Sequence, residues 1–185
     1  YGLRYIVPSD PYNISTIETS PGRSWQLTCY KKGFTTPKWP VGGVMYQILP
    51  DRFNFSGEEK NLTRTDFQRN TDWYALPQWQ PNENGEITNS DFFMGDLKGI
   101  TQKLDYLEEL GVSCIYLNPI SEAYSNHRYD TGDYSKVDPI LGTKEDFINL
   151  CAEAKKRGIH VINDGDYSHT GSDSKYFNRN GRYGE

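Results

Sequence analysis

Three stretches of this chain are apolar without polar alternation and are bounded by turn residues. They are residues 41–49 (VGGVMYQIL), residues 112–117 (VSCIYL) and the shorter run 160–162. Short apolar runs of this kind predict strands buried on both faces, as in a parallel sheet. Between the first two, Leu97, Ile100, Leu104, Leu107 and Leu110 recur at spacings of three and four. That period puts them on one face of a helix over 95–110, with Gly111 as its stop. Between the second and third, a helix starts at Thr143, whose partner three residues on is Asp146, an Asp version of the capping box. Phe147, Leu150, Cys151 and Ala154 form its apolar stripe. Lys155, Lys156 and Arg157 suit its negative end, and Gly158 stops it.

The order is strand, helix, strand, helix, strand. Two crossovers of this size make the strands parallel, which leaves a doubly wound sheet or a β/α barrel. A dinucleotide-binding sheet needs a glycine-rich turn after its first strand. Pro50-Asp51-Arg52-Phe53 stands there instead, so that class is excluded. A barrel has eight strands, so three strands and two helices are a part of one.

The remaining segments read differently. Residues 1–39 show no helical period, carry Pro/Gly turn signals and contain short β-like runs such as 24–30. They read as the end of a β-rich module and a linker. Residues 54–93 are polar, with Trp73, Trp79, Pro77 and Pro81. A loop of that length in a compact domain is functional, or is held by a ligand or a metal. Residues 121–134 read as a polar, turn-rich loop, and 171–185 as a polar Gly/Asn-rich segment.

Composition narrows the partners. Aromatics make up 14% of the 185 residues, with 14 Tyr and 4 Trp, which suits ligands that have apolar faces and hydroxyl edges, sugars among them. The net charge of -5 argues against nucleic acid and anionic membranes as partners. No apolar run approaches the ~20 residues of a membrane span. No secretory leader is visible at the start, which leaves localisation open. Cys29, Cys114 and Cys151 are odd in number and far apart. Cys114 in a strand and Cys151 on an apolar helix face read as free buried thiols.

The third strand exits into Asp164, Asp166, Ser168 and His169. Ionisable groups at such an exit sit where α/β enzymes build their sites. The plainer alternatives are a loop-packing Tyr129, a solvent-facing His127 and a capping Asp164.

Five ordered stretches resemble the α-amylase family of glycoside hydrolases. They are Val44-Met-Tyr-Gln-Ile-Leu-Pro-Asp-Arg-Phe53, Phe92-Phe-Met-Gly-Asp-Leu-Lys-Gly-Ile100 and Ile115-Tyr-Leu-Asn-Pro-Ile120, then Asn126-His-Arg-Tyr-Asp-Thr-Gly-Asp-Tyr134 and Asp164-Gly-Asp-Tyr-Ser-His169. They match that family's first barrel strand, first helix entry, second strand, substrate-contact loop and third-strand motif. The nearest look is to the neopullulanase, cyclomaltodextrinase and amylopullulanase branch, where a β-sandwich module precedes the barrel. The resemblance implies three segments: the end of a β-sandwich module (1–39), the first part of a (β/α)8 TIM barrel (40–170) and the start of a domain inserted after strand three (171–185).

It also implies retaining hydrolysis of α-glucosidic bonds in starch, pullulan or cyclodextrins. The nucleophile, acid/base and stabilising carboxylates then belong after strands beyond the third, so the 185 residues alone are expected to be inactive. By the same resemblance Tyr129 lies against a sugar face, and His169 and His127 contact its hydroxyls. Asp164 and Asp130 support them. Calcium is implied at Asp96, Gly95 and Asn54. The implied partners are an α-glucan or maltooligosaccharide, a second copy of the chain, or the rest of the enzyme. A non-catalytic glycan-binding or assembly protein and an α-glucan transglycosidase are the alternatives.

Departures from the family pattern are specific. Ser168 stands where some relatives have an Asn, Met94 where a glycine is usual, and Phe55 where an Asn or Asp is expected. Asp166 replaces a hydrophobic residue, and burying it costs several kcal/mol unless it is paired.

Overall fold

The computed structural model describes residues 2–9, 15–25 and 27–184. The chain divides into two units, 1–38 and 39–185.

In the first unit, β1 (Tyr5–Pro8) and β2 (Ser15–Glu18) pair antiparallel, from Tyr5 opposite Glu18 to Pro8 opposite Ser15. Residues 24–30, expected as a β-like run, form no strand among the described residues. Leu27 and Tyr30 lie exposed, with no apolar layer to bury them.

The second unit is built on three parallel strands: β3 (Val44–Ile48), β6 (Val112–Leu117) and β9 (His160–Asn163), in the order β3-β6-β9. Between β3 and β6 lie a 3-10 turn (Pro50–Arg52), the two-residue parallel pair β4 (Gln68–Arg69) and β5 (Asp91–Phe92), α1 (Leu97–Gln102) and α2 (Leu104–Glu109). Between β6 and β9 lie the antiparallel hairpin β7 (Ser121–Ala123) and β8 (Thr131–Val137), then α3 (Lys144–Lys156). Ladder bonds continue past the strand ends, from Asn118 N–H to Ile48 O and from Asp164 N–H to Leu117 O, both 2.9 Å. The main core joins sheet and helices through Ile48, Leu97, Ile100, Leu104, Ile115 and Leu150. This is the parallel arrangement that the apolar runs predicted, but only the central strand β6 is largely buried; β3 and β9 are the sheet's edges, and Val44, Met45, His160 and Asn163 are exposed.

Three local expectations need correction. The helix expected over 95–110 is two six-residue helices. Lys103 separates them at φ -103°, ψ 9°, and the Thr101 hydroxyl donates to Leu97 O within the last turn of α1, a bond that bends helices. The helix starts at Leu97 rather than Gly95 because Asp96, extended at φ -149°, ψ 171°, is its N-cap and accepts Gly99 N–H on its side chain, while Gly95 N–H bonds Asp51 O at 3.0 Å. A Cβ on Gly95 would sit 2.2 Å from Pro50 O. Residues 121–134 are not a plain loop, since 121–123 and 131–134 are the paired strands of the β7–β8 hairpin.

The long polar stretch makes its own small core. Phe55, Leu62 and Phe67 pack over buried Phe92, Met94 and Ile140, with the Phe67 and Phe92 rings 5.4 Å apart and edge-on. The Arg64 guanidinium pins it to the hairpin, donating to Ala123 O at 2.8 Å and Tyr124 O at 2.6 Å. Met94 adopts φ +68°, the left-handed conformation that glycine takes most readily. The α3 capping box forms as read, and Gly111 (φ +80°) and Gly158 (φ +69°) end their helices. All three cysteines are free: Cys114 is buried, Cys151 half-buried and Cys29 exposed. No helix among the described residues is long and apolar enough to cross a membrane.

Candidate functional site

The carboxyl ends of β6 and β9 and the loop between β7 and β8 meet at Asp164. Asp164 is the first residue after β9, fixed there by its bond to Leu117 O. Its Oδ2 accepts a 2.7 Å hydrogen bond from the Tyr129 hydroxyl. That bond, then burial, then the Asp164 charge push the Tyr129 phenol from 10 up to about 12. Tyr116, next to last in β6, faces the same carboxylate. Burial first, and then Asp164, push its phenol up. Both phenols are therefore held neutral beside one carboxylate, and Tyr129 donates to it.

The loop that carries Tyr129 is closed from within. Asp130 accepts from Ser125 N–H at 3.1 Å and also from the Ser125 hydroxyl. His127 Nδ1 accepts from Tyr129 N–H at 3.1 Å, which places the proton of the neutral ring on Nε2. The His127 and Tyr129 rings lie 5.9 Å apart and nearly parallel, at 28°. Beneath them Arg128, fully buried at φ +65°, pairs with Asp138 at 2.8 Å. The loop is also tied to the end of β3. Asn126 Nδ2 donates to Asp91 O and Oδ1, and Arg52 donates to the same Asp91 carbonyl at 3.1 Å.

His169 lies five residues beyond Asp164 on the same exit loop. Its Nδ1 is 3.1 Å from Ser168 Oγ and 3.3 Å from Asp166 Oδ2, and its side chain is 55% exposed. Tyr134 on β8 braces this loop by donating to His169 O at 2.8 Å. Asp166 has a side chain 27% exposed. It accepts from Ser168 N–H (3.0 Å) and Oγ (2.7 Å), so it caps its own turn instead of entering the core. The Ser168 hydroxyl, then its N–H, holds the Asp166 carboxyl below the usual range.

The sequence-predicted residues thus fall into two groups. Tyr129, Asp164 and His127 form one contact chain, with Asp130 as the clasp of their loop. His169 is anchored through Ser168 and Asp166, whose charge also reaches the Tyr129 hydroxyl. Tyr116 and Tyr134 were missed, because a tyrosine inside an apolar or strand-like run carries no local mark of function. The Gln47–Asn118 side-chain bond (2.9 Å) that links the exits of β3 and β6 was missed as well.

Asn54, Gly95 and Asp96 do come together, but their donors do not fit a hard cation. Calcium takes about six to eight oxygens. Asp96 is the only carboxylate of the three. Its Oδ1 accepts Gly99 N–H at 2.6 Å, while Oδ2 accepts Ser56 Oγ at 2.7 Å and the Lys60 ammonium at 2.5 Å. Asn54 turns its Nδ2 toward Gly99 O, and its backbone oxygen is taken by Asp96 N–H. Among the described residues, no three His, Cys, Asp or Glu side chains gather in a metal-binding group.

A parallel sheet with helices packed on it, and phenol, imidazole and carboxylate groups gathered at its carboxyl ends, is the scaffold of a β/α enzyme. Residues 47–185 match the family "Alpha amylase, catalytic domain". The amylopullulanase of Thermoanaerobacterium saccharolyticum is 49% identical over 175 residues, 87% of this chain and 14% of that protein. The intracellular maltogenic amylase of Bacillus subtilis is 41% identical over 165 residues, 89% of this chain and 26% of that protein. Among solved structures, the Arthrobacter globiformis cyclic α-maltosyl-(1→6)-maltose hydrolase, in complex with cyclic α-maltosyl-(1→6)-maltose, superposes with a TM-score of 0.64. It is 38% identical and covers 78% of this chain and 29% of that one. The type III pullulan hydrolase of Thermococcus kodakarensis gives 0.63 at 31% identity, over 94% of this chain and 32% of that one. The chain belongs to the α-amylase family, whose catalytic domain is a (β/α)8 barrel. It spans about a third or less of the length of each of these relatives.

Proposed function

We propose that these residues form part of the glucan-binding wall of a retaining glycosidase that cleaves α-glucosidic bonds in starch-like glucans, pullulan or cyclodextrins. The observation that carries this reading is the Tyr129–Asp164 bond at the mouth of the parallel sheet. The bond fixes the phenol in place, so that its ring offers an apolar face to the C–H side of a sugar. His127, with its proton on Nε2, and the exposed His169 donate to sugar hydroxyls. Asp164 positions Tyr129, and Asp130 holds the loop closed.

In this reading the nucleophile and the acid/base, which retaining chemistry places about 5–5.5 Å apart, lie outside the 185 residues. The free edges of β3 and β9 then pair with further barrel strands. Residues 1–39 close a β-sandwich module, and 171–185 open the inserted domain. The complexes of the Arthrobacter globiformis hydrolase with cyclic α-maltosyl-(1→6)-maltose and with maltose support an oligosaccharide substrate.

Two measurements test this. The 185-residue chain alone should release no reducing sugar from starch, pullulan or cyclodextrin. In the full-length protein, Tyr129→Ala and His169→Ala should each lower kcat/KM by the equivalent of about 2–3 kcal/mol. Turnover by the isolated chain, or near-normal kcat/KM in both variants, would overturn the proposal.

A further inference from the structure

We infer that the Lys60 ammonium is the resident cation of the corner between the end of β3 and α1, and that this corner holds its shape without a metal ion. The Asp96 carboxylate is 1% exposed and cannot be left unneutralised at that depth. The charge set against it is Lys60 Nζ, 2.5 Å from Oδ2, on a side chain only 15% exposed. The same ammonium lies 5.3 Å from the centre of the Phe55 ring, whose π-face attracts a monovalent cation and offers no ligand oxygen to a divalent one.

The surroundings are wired for that choice. Ser56 Oγ donates to Asp96 Oδ2, and Gln102 Nε2 donates to Ser56 O at 3.2 Å. Asn54 Nδ2 donates to Gly99 O at 3.1 Å. Side-chain hydrogen-bond donors therefore point where a hard cation would require lone pairs. The backbone is close-packed too, since a Cβ on Gly99 would stand 2.0 Å from Asn54 O. A metal ion could enter only by displacing the lysine and turning the Asn54 amide.

The inference also explains how the long polar stretch is held. The residue that fills the cation's place comes from within that stretch, 36 positions before Asp96. Lys60 thus docks residues 54–62 on the N-terminus of α1, as Arg64 docks the next turn on the hairpin.

Backbone hydrogen exchange in the intact protein, read over residues 54–62 and 96–102, tests this. In the unmodified protein, exchange in EDTA and in millimolar calcium should be the same. In Lys60→Met, exchange over the same segments in EDTA should quicken by about tenfold or more, because the Asp96 charge is left buried and unpaired. Lys60→Arg, which keeps a cation, should lie between the two. Calcium-dependent protection of these segments in the unmodified protein would overturn the inference, and that comparison stands even if a variant fails to fold. Unchanged exchange in Lys60→Met would overturn it equally.

Discussion

The Tyr129 hydroxyl donates to Asp164 Oδ2 at 2.7 Å, joining the loop between β7 and β8 to the end of the third parallel strand across 35 residues of sequence. The bond locks the phenol in its neutral form, with its pKa pushed from 10 to about 12. A raised phenol pKa favours the protonated folded state. Its stabilising contribution is therefore complete below about pH 10 and is lost as the pH rises through about 12. Replacing Asp164 by Asn removes the charge and weakens the bond. Alkaline titration followed by tyrosinate absorbance should then show an extra step near the ordinary tyrosine pH from Tyr129, with Tyr116, raised first by burial, moving less. Tyr129→Phe combined with Asp164→Asn should abolish that extra step. An unchanged titration in Asp164→Asn would show that the carboxylate does not control this hydroxyl.

Arg128 and Asp138 form the buried ion pair beneath that loop, at 0% and 2% side-chain exposure and 2.8 Å apart. Arg128 Nη1 also donates to Asn126 O at 2.8 Å, and Asp138 Oδ1 caps Ile140 N–H at 2.9 Å. Its Nη2 has no hydrogen-bond partner among the described residues, and the guanidinium lies 5.5 Å over the Phe92 ring. Removing one charge strands the other in the interior. Arg128→Met should therefore cost about 3–5 kcal/mol in denaturant unfolding, and Arg128→Met with Asp138→Asn should cost less than the sum of the single changes. A cost below about 1 kcal/mol for Arg128→Met would remove the pair as an anchor of the His127–Tyr129 loop.

The sequence made the frame legible where the cause was local. Residues 112–117 read as a strand and form β6 over those bounds. Thr143 and Asp146 read as a capping box and make both of its bonds, because capping depends on residues three apart. The left-handed φ of +68° at Met94 was not read from the sequence, where Met94 stood only as a departure from the family pattern. The remainder depends on distant partners. Nothing in the local pattern near Lys60 or Arg64 reports that their partners lie 36 and 59 residues on. The Thr131–Val137 strand was hidden because its Gly132 and Asp133 break the polar alternation, although both are buried. The Asp166 carboxylate, whose burial would have needed a partner, satisfies itself within its own turn through Ser168, which its replacement of a hydrophobic residue did not foretell. At the site, Tyr129, His127, Asp164 and His169 were legible as a motif, while Tyr116 and Tyr134 emerged only once the strands were laid side by side.

Asp133 and Lys175 make the last tie that pH can probe. Lys175 Nζ lies 2.5 Å from Asp133 Oδ1, joining the segment after residue 170 to β8, and Asp133 has only 6% of its side chain exposed. Burial pushes the Asp133 carboxyl up, but the bonds from Lys175 and Ser135 outweigh it and hold the carboxyl below its usual range. A lowered carboxyl pKa adds stability that is present above the ordinary carboxylate range and disappears as the pH falls through the lowered value. The unmodified protein should therefore be more stable than Asp133→Asn at neutral pH. The gap should close as the pH drops below about 4, where an unfolded Asp takes up its proton. Denaturant midpoints measured for both proteins from neutral to acid pH check this. The Lys175 side chain is 32% exposed, so high ionic strength should narrow the neutral-pH gap in part. A gap that stays constant with pH would mean that Asp133 acts through its shape and its Ser135 bonds, with no net contribution from its charge.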